Sequence, residues 1–151
     1  GSELAEAVLP HAEALARQRG TEPLEVVLLR VCEPPATPSY YAPELSGVPL
    51  NWGDYLNKEV AKGKEVAKEY LAGIEKRFTD SGVKVRSEVL VGKAPDEIVD
   101  YAKKHPFCII VMATHGRSGF SRWVYGSVAE NVLTGVSCPL LLIRTHQSET
   151  K

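Results

Sequence analysis

Apolar and polar positions along this chain switch period, from near 3.6 to 2 and back, and the switches mark alternating helices and strands. Leu4, Val8, Ala12, Leu15 and Ala16 recur at helical spacing and predict a helix over 2–18, capped by Ser2, kinked at Pro10 and stopped at Gly20. The apolar, β-branched run 24–31 predicts a buried strand. Leu56, Val60, Ala67, Leu71, Ile74 and Phe78 predict the longest helix, over 54–80. Val83, Val85, Ser87, Val89 and Val91 alternate with Lys84, Arg86, Glu88 and Leu90, which predicts a strand with one more polar face. A third helix runs over 95–104 with Pro95 in its first turn. A strand over 108–113, a helix over 127–134 closed by Gly135, a strand over 139–144 and a polar tail from about 145 complete the series.

Strands alternating with helices predict an α/β protein with a mainly parallel sheet. Such sheets receive ligands beyond the carboxyl ends of their strands. The segments after Val31 and after Met112 both leave such ends, so both can reach one crevice. Pro34, Pro35, Pro38, Pro43 and Pro49, with Tyr40 and Tyr41, make 32–52 an exposed loop. Tyr40, Tyr41 and Trp52 stand where they can cover a ligand or contact a protein.

Composition narrows the function. The 151 residues suit a single domain over 1–151, with 44% apolar and 25% charged residues. A net charge of −1, with Lys and Arg dispersed, offers no electrostatic case for nucleic acid or an anionic membrane. No apolar run approaches a membrane span and no signal peptide is visible. Cys32, Cys108 and Cys138 form no close pair in sequence, which suits a reducing cytoplasm. Cys108 and Cys138 are expected as buried thiols in strand contexts, and Cys32 as partly exposed.

The chemistry concentrates in 112–127, Met-Ala-Thr-His-Gly-Arg-Ser-Gly-Phe-Ser-Arg-Trp-Val-Tyr-Gly-Ser. It follows the apolar strand and leads into Ser127-Val-Ala-Glu130, which reads as a capping box opening a helix. Strand, glycine-bearing loop and helix start together make an anion site, because loop amides and the helix N-terminus can both face a phosphate. The same stretch reads equally as a surface loop in which Gly116, Gly119 and Gly126 supply positive φ angles. Arg117 and Arg122 can neutralise phosphate charge or be solvated, and Trp123 and Tyr125 can pack the loop against the sheet. Neither G-x-G-x-x-G nor G-x-x-x-x-G-K-[ST] is present. G-x-S-x-G is absent, and His11, His105, His115 and His146 lack metal-ligand spacing, so catalytic and metal residues are expected to be none.

With Ala113 in place of its first glycine, 113–127 resembles the ATP-binding signature of the universal stress protein family, G-x2-G-x9-G-[ST]. Gly-Ser-Glu-Leu-Ala-Glu at the start, Val91-Gly92-Lys-Ala-Pro-Asp-Glu-Ile98 and Cys138-Pro-Leu-Leu-Leu-Ile143 are similar to the same family, in order, over nearly the whole chain. The resemblance implies a three-layer, mainly parallel five-stranded sheet of Rossmann-like, adenine-nucleotide α-hydrolase-like type. In that family an apolar strand ending in an aspartate precedes the Gly-Ser; these residues contain neither, so the first strand is expected to be absent from this chain.

The resemblance also implies an ATP site. Val31 forms a wall of the adenine or ribose pocket. Met112, Ala113, Thr114, His115, Gly116, Arg117, Ser118 and Gly119, with Gly126, Ser127 and Val128, hold ribose and phosphates. ATP is the implied cofactor, with Mg²⁺ as a possible companion, in a stress-response switch with little or no turnover. The alternative is a non-nucleotide-binding protein–protein interaction module. A homodimer is implied through the edge strand Leu140-Leu141-Leu142-Ile143.

Overall fold

The computed structural model describes residues 3–18, 24–36, 51–106, 108–116 and 126–146. Their elements, in order, are α1 (Glu3–Glu6), α2 (Leu9–Gln18), β1 (Glu25–Cys32), α3 (Trp52–Asp80), β2 (Lys84–Val91), α4 (Ala94–Lys104), β3 (Ile110–Gly116), α5 (Ser127–Gly135) and β4 (Leu140–His146). This is the α/β alternation expected. The strands form two parallel ribbons, β1 with β2 and β3 with β4. Registers run from Glu25↔Lys84 to Cys32↔Val91, and from Ile110↔Leu140 to Gly116↔His146. No ladder joins β1 to β3 among the described residues.

The main core lies where α2 and α3 cover the β1–β2 ribbon. Leu9, Leu28, Leu71, Ile74, Phe78 and Val83 are all buried and form one cluster. Leu71, Ile74 and Phe78 fall on one stripe of α3 at three- and four-residue steps, so a single face of that helix is apolar. Gly82 takes φ +77° in the turn between α3 and β2, a left-handed conformation that glycine adopts without side-chain strain. On the second ribbon, α5 buries Ala129 and Val132 and packs against β3 and α4. α1 reaches β3 while α2 reaches β1, so the first two helices touch both ribbons.

Several expected boundaries move, each for a local reason. The helix over 2–18 is two helices separated by a turn at Ala7 and Val8. Pro10 lacks an N–H and crowds the carbonyl four residues back, so helix cannot continue unbroken through it. Ser2 and Gly20 lie outside the described residues. β3 begins at Ile110 rather than Cys108, because Pro139 opposite has no N–H to donate and the ladder opens only beyond it. Ile110 N–H donates to Pro139 O at 3.0 Å. β4 runs on to His146, two residues into the expected tail. Trp52, expected on the loop, is the first residue of α3, where it stacks on Tyr55 with ring centroids 5.1 Å apart. Of the expected loop, 33–36 is irregular and exposed, and 37–50 lies outside the described residues.

Candidate functional site

The first residues of the expected phosphate loop lie in a strand. Ala113, Thr114, His115 and Gly116 continue β3, paired with Ile143, Arg144, Thr145 and His146 of β4. The partner ladder satisfies their backbone groups, so the strand does not end at Met112. No described non-glycine residue has positive φ, so Ala113 carries its methyl without left-handed backbone strain. Thr114 is buried, at 5% exposure. Arg117, Ser118, Gly119, Arg122, Trp123 and Tyr125 lie outside the described residues.

At the far side of that segment, α5 opens one residue earlier than the capping box implies. Gly126, at φ −59° and ψ 150°, is the N-cap, and Glu130 N–H donates to its carbonyl at 3.0 Å. Ser127 is therefore the first residue inside the helix; it is exposed and not the cap. No side chain bonds the α5 N-terminus among the described residues. Its first amides point away from the helix body with the positive end of the dipole behind them.

The helix start that follows β2 differs. α4 has Lys93 as N-cap and Pro95 in its first turn. Glu33, just past β1, accepts the Ala94 N–H at 3.1 Å. A carboxylate thus already sits at the positive end of α4, and a phosphate there would meet like charge. Among the described residues a carboxylate meets the start of α4 and no side chain meets that of α5.

Val31 lies at the carboxyl end of β1, paired with Leu90. It borders a cleft of about 410 Å³ with Arg30, Cys32 and Glu33, and with Glu59, Lys62, Gly63 and Val66 of α3. The Arg30 guanidinium rests over the Tyr70 ring, 5.1 Å from its centroid. Cys32 donates to Gly63 O at 3.6 Å. The structure therefore separates the expected site residues into two groups. Val31 stands on the first ribbon; Met112, Ala113, Thr114, His115, Gly116, Gly126, Ser127 and Val128 stand on β3 and α5. Sequence reasoning missed Glu33 and the cleft-lining charges, since their signal is spatial. It also missed Arg144, the register partner of Thr114.

The displaced titrating groups lie elsewhere. Arg86 and Lys84 beside Glu25 hold that carboxyl below its usual range, at the amino ends of β1 and β2. Glu25 and then Tyr101 push the Arg86 guanidinium up. Arg86 bonds Glu25, Glu88 and Tyr101, and Tyr101 donates to Glu88 at 3.0 Å. Burial, then the bond to Glu6, pushes Tyr70 up. Among the described residues no His, Cys, Asp or Glu cluster suits a metal, and no helix is long and apolar enough to cross a membrane.

The model of the universal stress protein family matches residues 1–144. Universal stress protein MJ0577 of Methanocaldococcus jannaschii is 30% identical over 151 residues, covering 97% of this chain and 91% of that protein. Its solved structure superposes with a TM-score of 0.72, over 97% of this chain and 92% of that one. Universal stress protein MJ0531 of the same organism is 38% identical over 86 residues, 57% of this chain and only 51% of that protein. The universal stress protein from Archaeoglobus fulgidus, solved in complex with dAMP, is 25% identical with a TM-score of 0.57, over 95% of this chain and 90% of that one.

Proposed function

We propose that this chain, which belongs to the universal stress protein family, binds ATP or a closely related adenine nucleotide. It acts as a switch in the stress response with little or no turnover. The observation that carries this reading is the start of α5, which follows a glycine N-cap and is bonded by no side chain among the described residues, whereas Glu33 fills the start of α4. The dAMP held by the Archaeoglobus fulgidus relative supports adenine as the base. The amides of Ser127 and Val128, with the segment from Met112 through Gly119, would hold ribose and phosphates. Val31 would line the base or ribose pocket. Bound nucleotide would supply a multivalent anion, and Mg²⁺ could accompany it with few protein ligands.

Calorimetry with ATP tests the reading. Gly126→Val places a branched side chain beside the amides and should lower affinity at least tenfold. Ser127→Ala should weaken binding a few-fold while leaving stability nearly unchanged, because Ser127 is not the helix cap. ATP affinity unchanged in both variants would sink the proposal.

In the same reading the two ribbons are parts of one five-stranded Rossmann-like sheet, with a further strand between β1 and β3. Slow hydrogen exchange along both β1 and β3 would support this, and fast exchange along their free edges would contradict it. The outer edge of β4 is proposed as a homodimer seam. Leu141 is 37% exposed there, and symmetric pairing would cover the edge in both copies. A dimer that Leu142→Pro converts to monomer in light scattering supports this, and a monomer at micromolar concentration excludes it.

A further inference from the structure

We propose that Cys108 and Cys138 form a peroxide-responsive thiol pair that closes to an intramolecular disulfide and staples the amino ends of β3 and β4. Thirty positions separate them in sequence, yet their Sγ atoms lie 3.4 Å apart. The β3–β4 register explains the proximity. Ile110 pairs with Leu140, so two residues earlier Cys108 stands opposite Cys138 on the same side of the ribbon. The bond from Ile110 N–H to Pro139 O, 3.0 Å, anchors the two backbones immediately beside the thiols. Closing the gap to a ~2.05 Å disulfide asks each sulfur to move by roughly 0.7 Å, within the reach of a small side-chain rotation. Both thiols are half-buried rather than sealed in a core, so a molecule as small as hydrogen peroxide can reach them. Cys32, the third cysteine, sits on the other ribbon and bonds Gly63 O, with no part in this pair.

The roles within the pair differ. Burial, then the hydrogen bond it donates to Cys138, pushes the Cys108 thiol up to about 11, so Cys108 stays protonated near neutral pH. Because Cys108 donates its hydrogen bond to the Cys138 sulfur, Cys138 is the attacking sulfur and Cys108 the resolving one. The Cys138 sulfur attacks one peroxide oxygen and the O–O bond breaks. The departing hydroxide takes the thiol proton and leaves as water, with Cys138 as a sulfenic acid. The Cys108 sulfur then attacks the Cys138 sulfur and displaces hydroxide, which takes the Cys108 proton and leaves as a second water. Two thiols and one hydrogen peroxide become one disulfide and two waters. The sulfurs lose two electrons and the peroxide gains them.

The staple encloses β3 and α5 in one covalent loop and reduces the freedom of that stretch in the unfolded chain. Its position is remote from the nucleotide reading. Cys108 precedes β3 and Gly116 ends it, about 25 Å away along the strand. Oxidation should therefore raise stability without altering nucleotide affinity.

The test treats the full chain with hydrogen peroxide, removes the excess with catalase and alkylates the remaining thiols under denaturing conditions. Expected are a mass lower by about 2 Da before alkylation and a single alkylated cysteine, Cys32. A digest should contain a peptide joining Cys108 to Cys138. The Tm should rise by roughly 5–10 °C and fall back with dithiothreitol. Cys32→Ser should behave as the wild type, and Cys138→Ser should form no intramolecular disulfide. Retention of all three thiols, separate sulfinic acids on Cys108 and Cys138, a bridge to Cys32 or a bridge between chains would each overturn the proposal. Mapping of the wild-type chain decides the matter even if a cysteine variant fails to fold.

Discussion

Glu33 and Ala94 meet at the carboxyl end of the first ribbon, where the Glu33 carboxylate accepts the Ala94 backbone N–H at 3.1 Å. The contact ties the segment leaving β1 to the start of α4. It satisfies one of the helix's orphan amides and places negative charge at the positive end of the dipole. Glu33→Ala should lower stability by about 0.5–1 kcal/mol in urea unfolding. An unchanged midpoint would show that water replaces the carboxylate without cost.

Gly135 and Val99 fix how closely α5 approaches α4. A Cβ on Gly135 would lie 2.7 Å from Val99 Cγ2 and 3.3 Å from Cγ1. Gly135→Ala should therefore destabilise by about 1 kcal/mol, as overpacking outweighs the better helix propensity. In a Val99→Ala background the same change should be neutral or stabilising. A double-mutant cycle that shows no coupling between the two positions would contradict the contact.

Ser87 carries a buried hydroxyl with no hydrogen-bond partner among the described residues. It pairs in register with Leu28, a residue of the main core. Removing an unpaired buried hydroxyl relieves its desolvation cost, so Ser87→Ala should be neutral or stabilising by about 1 kcal/mol. A loss of stability would mean that the hydroxyl has a partner in the folded protein.

Alkaline pH should weaken the fold. Burial raises Cys108 from 9.0 to about 11, and burial and Glu6 raise Tyr70 above its usual range. Both groups favour the folded state while protonated. Their contribution is full below the unfolded pKa values and is lost as pH rises through the folded ones, for Cys108 between 9.0 and about 11. Under reducing conditions the urea midpoint should fall from pH 8 to pH 11. The slope should be smaller in a Cys108→Ala, Tyr70→Phe double variant.

Acid acts through Glu25, whose carboxyl is held down by Arg86 and Lys84. A lowered pKa contributes stability above the unfolded value of about 4.5 and loses it as pH falls through the folded one. The exposed pair with Lys84 is further weakened by salt. Glu25→Gln should make stability less dependent on pH below 5, most visibly at low ionic strength. An identical acid limb in wild type and variant would exclude Glu25 as a contributor.

Much of the local structure was written in the periodicity. Leu71, Ile74 and Phe78 announce the buried stripe of α3, and the alternation after Val83 announces β2, because an amphipathic segment has one way to bury its apolar positions. The glycine and serine spacing around 126 and 127 marked a helix start and a family. The sequence alone could not assign the cap. Both Gly126 and Ser127 are acceptable N-caps, and the choice depends on which carbonyl accepts the first helical bond. Nor could it extend β3 to Gly116, since that depends on the length of the ladder offered by β4. The relationships that only the tertiary structure decides are Glu33 at the start of α4, Arg30 over Tyr70, and Cys108 against Cys138 across 30 positions of chain. A sequence sets what each segment can bury and bond. Which distant partner satisfies it is decided only when strand register and helix packing bring the two together.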